Sequence, residues 1–194
     1  MREVTTKDRI TAAATYLLTE HGAGGVSMRK VAAAVGITPM AIYQYFPDRE
    51  TLLNAIADAA FAELVRRWES ADRPVAADAR MREMLTDHVD FALAQPRLYA
   101  YMFVERRDQA RTFPEDFEAR RSPTLNLVAD SIALGIEQQL FRPDLDLWET
   151  ALLFAALLHG LLQLHHGARI GMPDPAFRSL CLRLGERIIN EIRV

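Results

Sequence analysis

Apolar residues recur along this chain every three or four positions, with no sustained alternation, so the pattern predicts helices throughout. Ile10, Ala13, Ala14, Leu17 and Leu18 share one face of a helix over residues 5–21. Gly22 follows as a C-terminal stop. Ser27 is placed to cap a second helix, residues 28–35, with Val31, Ala32 and Val35 inside. Gly36 breaks it. Thr38 caps a third helix with Pro39 at its first position, where a missing N–H costs nothing, and Pro47 ends it. Asp48 caps a fourth, residues 49–70, with Leu52, Leu53, Ile56, Ala60 and Leu64 inward. Further helices are predicted over 80–94, 97–107, 125–140, 147–166 and 174–193, with a charge-dense loop at 108–123 that holds one helical turn at most. The expected fold is all-α, with about nine helices.

Residues 26–49 (VSMRKVAAAVGITPMAIYQYFPDR) read as two short helices joined by a tight turn. That is the layout of a helix-turn-helix, whose second helix enters the major groove. Such a helix needs small or polar side chains near its start, and Thr38, Pro39, Met40 and Ala41 meet that need. Ile37, Ile42 and Phe46 can brace it from behind, which leaves Tyr43 and Tyr45 outside. A tyrosine hydroxyl aimed at a phosphate fixes register without adding charge. Plainer readings stay open. Tyr43 and Tyr45 would serve as core-edge aromatics, Arg29 as a solvated charge, and Met40 as a gap-filler.

Composition changes this picture little. Half of the 194 residues are hydrophobic, which suits a globular core. A net charge of −3, from 23 basic and 26 acidic residues, does not favour nucleic acid. Only locally does the sign turn, where Arg29, Lys30 and Arg49 face a single Asp48. The apolar run at 151–158, extended by 159–164, reads as too short and interrupted to span a membrane. The first ten residues lack an apolar export segment, and Cys181 is the only cysteine, so a cytoplasmic location is expected. HExxH, GxSxG, P-loop and GxGxxG motifs are absent, and His159 and His166 lie two turns apart, so no enzyme, cofactor or metal site is expected.

An ordered set of residues covering about 7–56 resembles the TetR family of bacterial transcriptional regulators. It comprises Ala12–Ala14, Leu17-Leu18, His21-Gly22, Ser27-Met28-Arg29-Lys30-Val31-Ala32, Val35-Gly36-Ile37, Ile42-Tyr43-x-Tyr45-Phe46-Pro47-Asp48-Arg49 and Leu52-Leu53. The resemblance implies a DNA-binding domain at 1–50 and a ligand-binding and dimerisation domain at 51–194. It places Ser27, Thr38, Tyr43, Tyr45 and Arg49 against phosphates, and Arg29, Met40, Ala41 and Gln44 against bases, with Lys30 in the same interface. Tyr45 stands where histidine is common, and Pro47-Asp48-Arg49 replaces a more basic turn. The implied function is a homodimeric repressor that leaves a pseudo-palindromic double-stranded DNA operator when a small apolar or amphipathic effector binds. The alternative is a regulator of the same fold controlled by a protein partner.

Residues 147–166 are apolar nearly all round, as in a helix covered on two sides. Leu153, Ala156, Gly160 and Leu164 form one stripe. Phe177, Cys181, Leu184, Gly185 and Ile188 form a matching one on the last helix, and two such pairs would make a four-helix dimer interface. A monomer whose core absorbs both stripes is the other reading. A second stripe carries Trp148, Leu152, Ala155, His159 and Gln163. With Phe91, Tyr99, Met102, Phe103 and Phe117 it would line an effector cavity, although for each residue ordinary core packing is the stronger reading. The His159-Gly160 pair resembles a C-terminal type marked by Trp…His-Gly, with Ala155 where the tryptophan would stand.

Overall fold

The structure is a computed structural model that describes residues 4–70 and 72–194. Its helices start where the side chains supply hydrogen-bond acceptors. Thr5 and Asp8 form a capping box, each accepting the other's backbone N–H (3.2 and 2.9 Å), and α1 runs Thr6–His21 behind it. A single 3-10 turn, Ala23–Gly25, leads to Ser27, whose hydroxyl caps α2, Met28–Val35. Thr38 caps α3, Pro39–Ile42, by accepting the Ala41 N–H at 3.2 Å. Asp48 accepts the Thr51 N–H at 2.7 Å and starts α4, Arg49–Trp68. The remaining helices are α5 (Ala77–Ala94), α6 (Pro96–Phe103), α7 (Glu115–Glu118), α8 (Pro123–Glu137), α9 (Leu147–His166) and α10 (Asp174–Glu191). Ten α-helices thus occur among the described residues, with no β-strand, as an all-α chain requires.

Boundaries moved where a proline or a tight contact decided them. Pro96 and Pro123 sit in the first helical turn of α6 and α8 rather than in loops, because their locked φ suits that position. The third helix was expected to reach Pro47 but ends at Ile42. Its last turn tightens, with the Tyr45 and Phe46 N–H groups both donating to the Ile42 carbonyl at 3.0 Å. Pro47 disfavours helical conformation at the residue before it and cannot donate to the ladder, so the helix does not continue. Helix α8 stops at Glu137 because Phe141 folds back on Gly135, where a Cβ would lie 2.0 Å from the ring.

The chain divides into two compact units, Met1–Ala60 with Gln95–Gln109, and Phe61–Ala94 with Ala110–Val194. In the first, α1 packs on α2 and α6, and α2 on α3. Helix α6 is tied there by Arg97, which donates to the Thr19 carbonyl at 3.1 Å, and by the Tyr101 hydroxyl, which donates to Asn54 Oδ1 at 3.4 Å. In the second, α5 packs on α8 and α10, while α9 packs on α8 and α10. Helix α9 shows that the membrane expectation rested on too narrow a count. By length and composition alone its 20 residues could cross a bilayer, because the helix runs on through Gly160 to His166. Ala151, Phe154, Leu158 and Leu162 are buried in its own unit, while Leu152, Leu153, Ala156 and Leu164 form an open apolar face.

Candidate nucleic-acid interface

The α2–α3 pair is held together from within. Met28, Val31, Ala32 and Val35 of α2 are buried, and so are Ile42 and Phe46 beyond α3. Gly36 joins the two helices at φ 78°, a left-handed conformation, and its N–H and that of Ile37 both donate to the Ala32 carbonyl at 3.0 Å. A side chain there would be strained, so glycine sets the angle of α3. Three cations brace this frame. Arg9 donates to the Val35 carbonyl at 2.8 Å, Lys7 lies 5.5 Å from the centre of the Phe46 ring, and Arg49 donates to the Val26 carbonyl at 2.8 Å and to that of Ala23.

The exposed side chains are those of Arg29, Lys30, Thr38, Met40, Tyr43, Gln44, Tyr45 and Arg49, while Ser27 and Ala41 are half-buried. Met40 is 76% exposed, Tyr43 48% and Tyr45 39%, so Met40 fills no gap and both tyrosines present more than a third of their surface to solvent. Arg29 makes no hydrogen bond or ion pair among the described residues, and the Lys30 ammonium touches only the Gly25 carbonyl, at 3.3 Å. Arg49 is exposed and also has a structural role. Two of its donors are spent on backbone carbonyls, so it locks the start of α4 to the loop before α2. Sequence spacing could not separate Arg9 or Arg49 from ordinary surface arginines, since both bonds span more than twenty residues.

The expected effector residues fall in both units. Tyr99 and Met102 are buried and Phe103 is half-buried in the first unit, because α6 packs on α1 and the Tyr99 and Phe103 rings meet at 5.0 Å. Phe91, Phe117, Trp148, Ala155 and His159 are half-buried in the second unit, whereas Leu152 and Gln163 are exposed. The second unit does contain a cavity of about 210 Å³, lined by Trp68, Met84, Leu127 and Ser131 with Arg73, Arg80, Glu69, Glu83 and Asp130 at its edge. None of these was expected. The interface stripes also divide. Leu153 (57% exposed), Ala156, Gly160 and Leu164 (44%) face solvent, but Phe177, Cys181 and Gly185 belong to the core. A Cβ on Gly185 would lie 2.5 Å from Leu85, so α10 turns that face to α5, and only Leu184 and Ile188 remain half-buried. Burial pushes the Cys181 thiol up to about 11, which keeps it protonated.

His159 has a partner that sequence reading missed. The His88 ring of α5 meets it edge-on, with centroids 5.3 Å apart. His88 was detectable as the one polar residue on the buried stripe Met84, Leu85, Val89 and Ala92. Burial, with a smaller push from His159, takes the His88 imidazole down to about 3, and burial takes His159 to about 4. An unfolded histidine binds its proton near pH 6.5, so below that pH the unfolded chain takes up protons that the folded chain refuses. This contribution to stability is therefore fully present above pH 6.5 and is lost as pH falls. From His88 alone the loss at pH 5 is about 2 kcal/mol. Melting temperatures at pH 7.5 and pH 5.0 should differ less in His88→Gln than in the wild type; equal drops would remove His88 from the account.

Similarity to known proteins agrees with this geometry. The family model for bacterial regulatory proteins of the tetR family matches residues 10–56, and that for the tetracyclin repressor-like C-terminal domain matches residues 81–184. The nucleoid occlusion factor SlmA of Pasteurella multocida is 28% identical over 113 residues, a segment that spans 54% of this chain and 57% of that relative. A solved protein of unknown function from Rhodococcus sp. RHA1 superposes with a TM-score of 0.80 at 24% identity, covering 100% of this chain and 98% of that one. The transcriptional regulator FadR of Bacillus subtilis, solved with stearoyl-CoA, gives 0.71 at 17% identity, covering 91% and 96%. With a helix-turn-helix built on Gly36, and family matches over both the N-terminal segment and more than half of the chain beyond it, this protein belongs to the TetR family of bacterial regulatory proteins.

Proposed function

We propose that the protein is a homodimeric transcriptional repressor that binds a pseudo-palindromic DNA operator in the cytoplasm and is released by a small apolar or amphipathic effector. Residues 1–50 would read DNA, and residues 51–194 would hold the effector and the second subunit. The observation that carries this reading is the run 38–45. Thr38, Met40, Tyr43, Gln44 and Tyr45 project outward while Ile42 and Phe46 anchor the run from behind. Two copies about 34 Å apart would enter successive major grooves. The effector part draws support from FadR, a protein of the same fold solved with stearoyl-CoA. An effector displaces the equilibrium only by its preference for one state, about 1.4 kcal/mol for each tenfold. Selection of bound sequences from random duplex DNA tests the reading, and a pool without enrichment would sink it. On the selected duplex, Arg29→Ala should weaken binding by about 1–3 kcal/mol if the guanidinium pairs with a guanine edge. An unchanged gel shift would remove Arg29 from base reading.

A second reading is control by a protein partner without a small-molecule effector. The cavity of about 210 Å³ carries five charged residues in its lining. Sites for small molecules are larger and mainly apolar, about 300–1,000 Å³. A thermal-shift screen separates the two readings, because an effector that binds only the folded state raises the melting point.

A further inference from the structure

The first turn of α3 has an unusual chemistry for a surface expected to read base edges. Pro39, Met40 and Ala41 carry no polar side-chain atom, and the Thr38 hydroxyl is engaged as the cap of the Ala41 N–H. Yet Pro39 and Met40 are exposed, Met40 to 76%. They form an apolar projection among polar ones, with Thr38 before them, Tyr43, Gln44 and Tyr45 after them, and Arg29 and Lys30 exposed on the preceding helix. An uncovered thioether chain between cations and hydroxyls does not suit an apolar protein surface, because the flanking groups would lose water without partners. It suits a polar, anionic surface that holds one apolar group.

The edges of base pairs in the major groove present donors, acceptors and a single apolar group, the C5-methyl of a pyrimidine. A methionine has no donor and only a weakly accepting sulfur, so it reads the polar edge poorly. We propose that Met40 recognises a pyrimidine C5-methyl group, that of thymine, at one position of each operator half-site. This rests on the DNA-binding reading above and adds the chemical identity of one base that the protein selects. The flexible, polarizable side chain packs on the methyl without fixed geometry. Burial of one methyl-sized group contributes a factor of about four in affinity, so the preference is modest and is confined to that base pair.

The test uses the full chain and a duplex selected from random DNA. Each thymine in turn is replaced by deoxyuridine, which removes only the methyl group. The wild type should lose about fourfold at one symmetric position per half-site and stay unchanged elsewhere. Met40→Ala should bind the thymine and deoxyuridine duplexes alike, at the affinity of the wild type for a duplex substituted in both half-sites, about sixteenfold below the wild type on thymine, since the dimer then loses one contact per half-site. Because Met40 is exposed, this variant should keep the wild-type melting temperature. Cytosine and 5-methylcytosine at the same position distinguish the source of the methyl. Tighter binding of the methylated base, still short of thymine, is expected, and 5-methylcytosine preferred over thymine overturns the thymine assignment. Enrichment of a sequence whose deoxyuridine versions all bind equally well overturns the Met40 proposal alone. So does Met40→Ala that keeps the full discrimination. Absence of any enriched sequence overturns the DNA-binding reading and this one together.

Discussion

Gly160→Leu is expected to give a folded protomer that no longer dimerises. A Cβ built on Gly160 meets no atom within 4 Å, so the single chain has room for the new side chain. The stripe around it is what the proposed interface would use. Leu153 and Leu164 stand exposed on either side, with the small Ala156 one turn away. Small residues there let a second α9 approach closely, and leucine would hold it off. Overpacking costs about 1–3 kcal/mol per site, and two-fold symmetry applies it twice, so dimerisation should weaken by a factor on the order of 10²–10⁴. Operator binding should fall with it, because each half-site would be held separately. Sedimentation measures the first effect and gel shift the second. An undiminished dimer would place the interface elsewhere, and an unfolded variant would contradict the open space at Gly160.

Phe46→Ala should remove about 3–5 kcal/mol of stability, the usual cost of a buried ring. Phe46 is 2% exposed, anchors the chain after α3, and lies under the Lys7 ammonium. Small proteins hold only about 5–15 kcal/mol in total, so the loss is a large part of the margin. The recognition segment would lose its fixed position before the rest of the chain unfolds, and DNA binding should disappear at temperatures where helical content persists. Tyr45→Ala, one residue away on the outside, makes the comparison sharp. It should leave the melting temperature nearly unchanged while it weakens operator binding. Calorimetry and gel shift on the pair decide, and equal melting losses would mean that Tyr45 is structural.

Much of the first unit could be read from residue order, because its determinants are local. Ser27, Thr38 and Asp48 cap helices within three residues of themselves, and Gly36 must take a left-handed conformation for the turn to close. The inward placement of Ile42 and Phe46 follows from helical spacing. The effector residues could not be told from core by their order, because aromatic stripes report burial without saying against what. Tyr99 and Met102 are as buried as expected, but α1 covers them. The α10 stripe failed for the same reason. Its apolar spacing is equally suited to a second subunit and to α5, and the missing side chain of Gly185 lets Leu85 approach.

Periodicity, caps and the ordered N-terminal motif determined, without coordinates, that this chain is helical, where most helices begin, and which family it joins. These properties depend on interactions within a few residues, which the order of the chain contains directly. Tertiary structure alone decided that Arg9 and Arg49 brace backbone carbonyls, that His88 meets His159, and that α9 rather than α10 keeps an open apolar face. Each depends on groups brought together from distant positions, and an apolar or charged side chain carries no label for the partner that folding will give it.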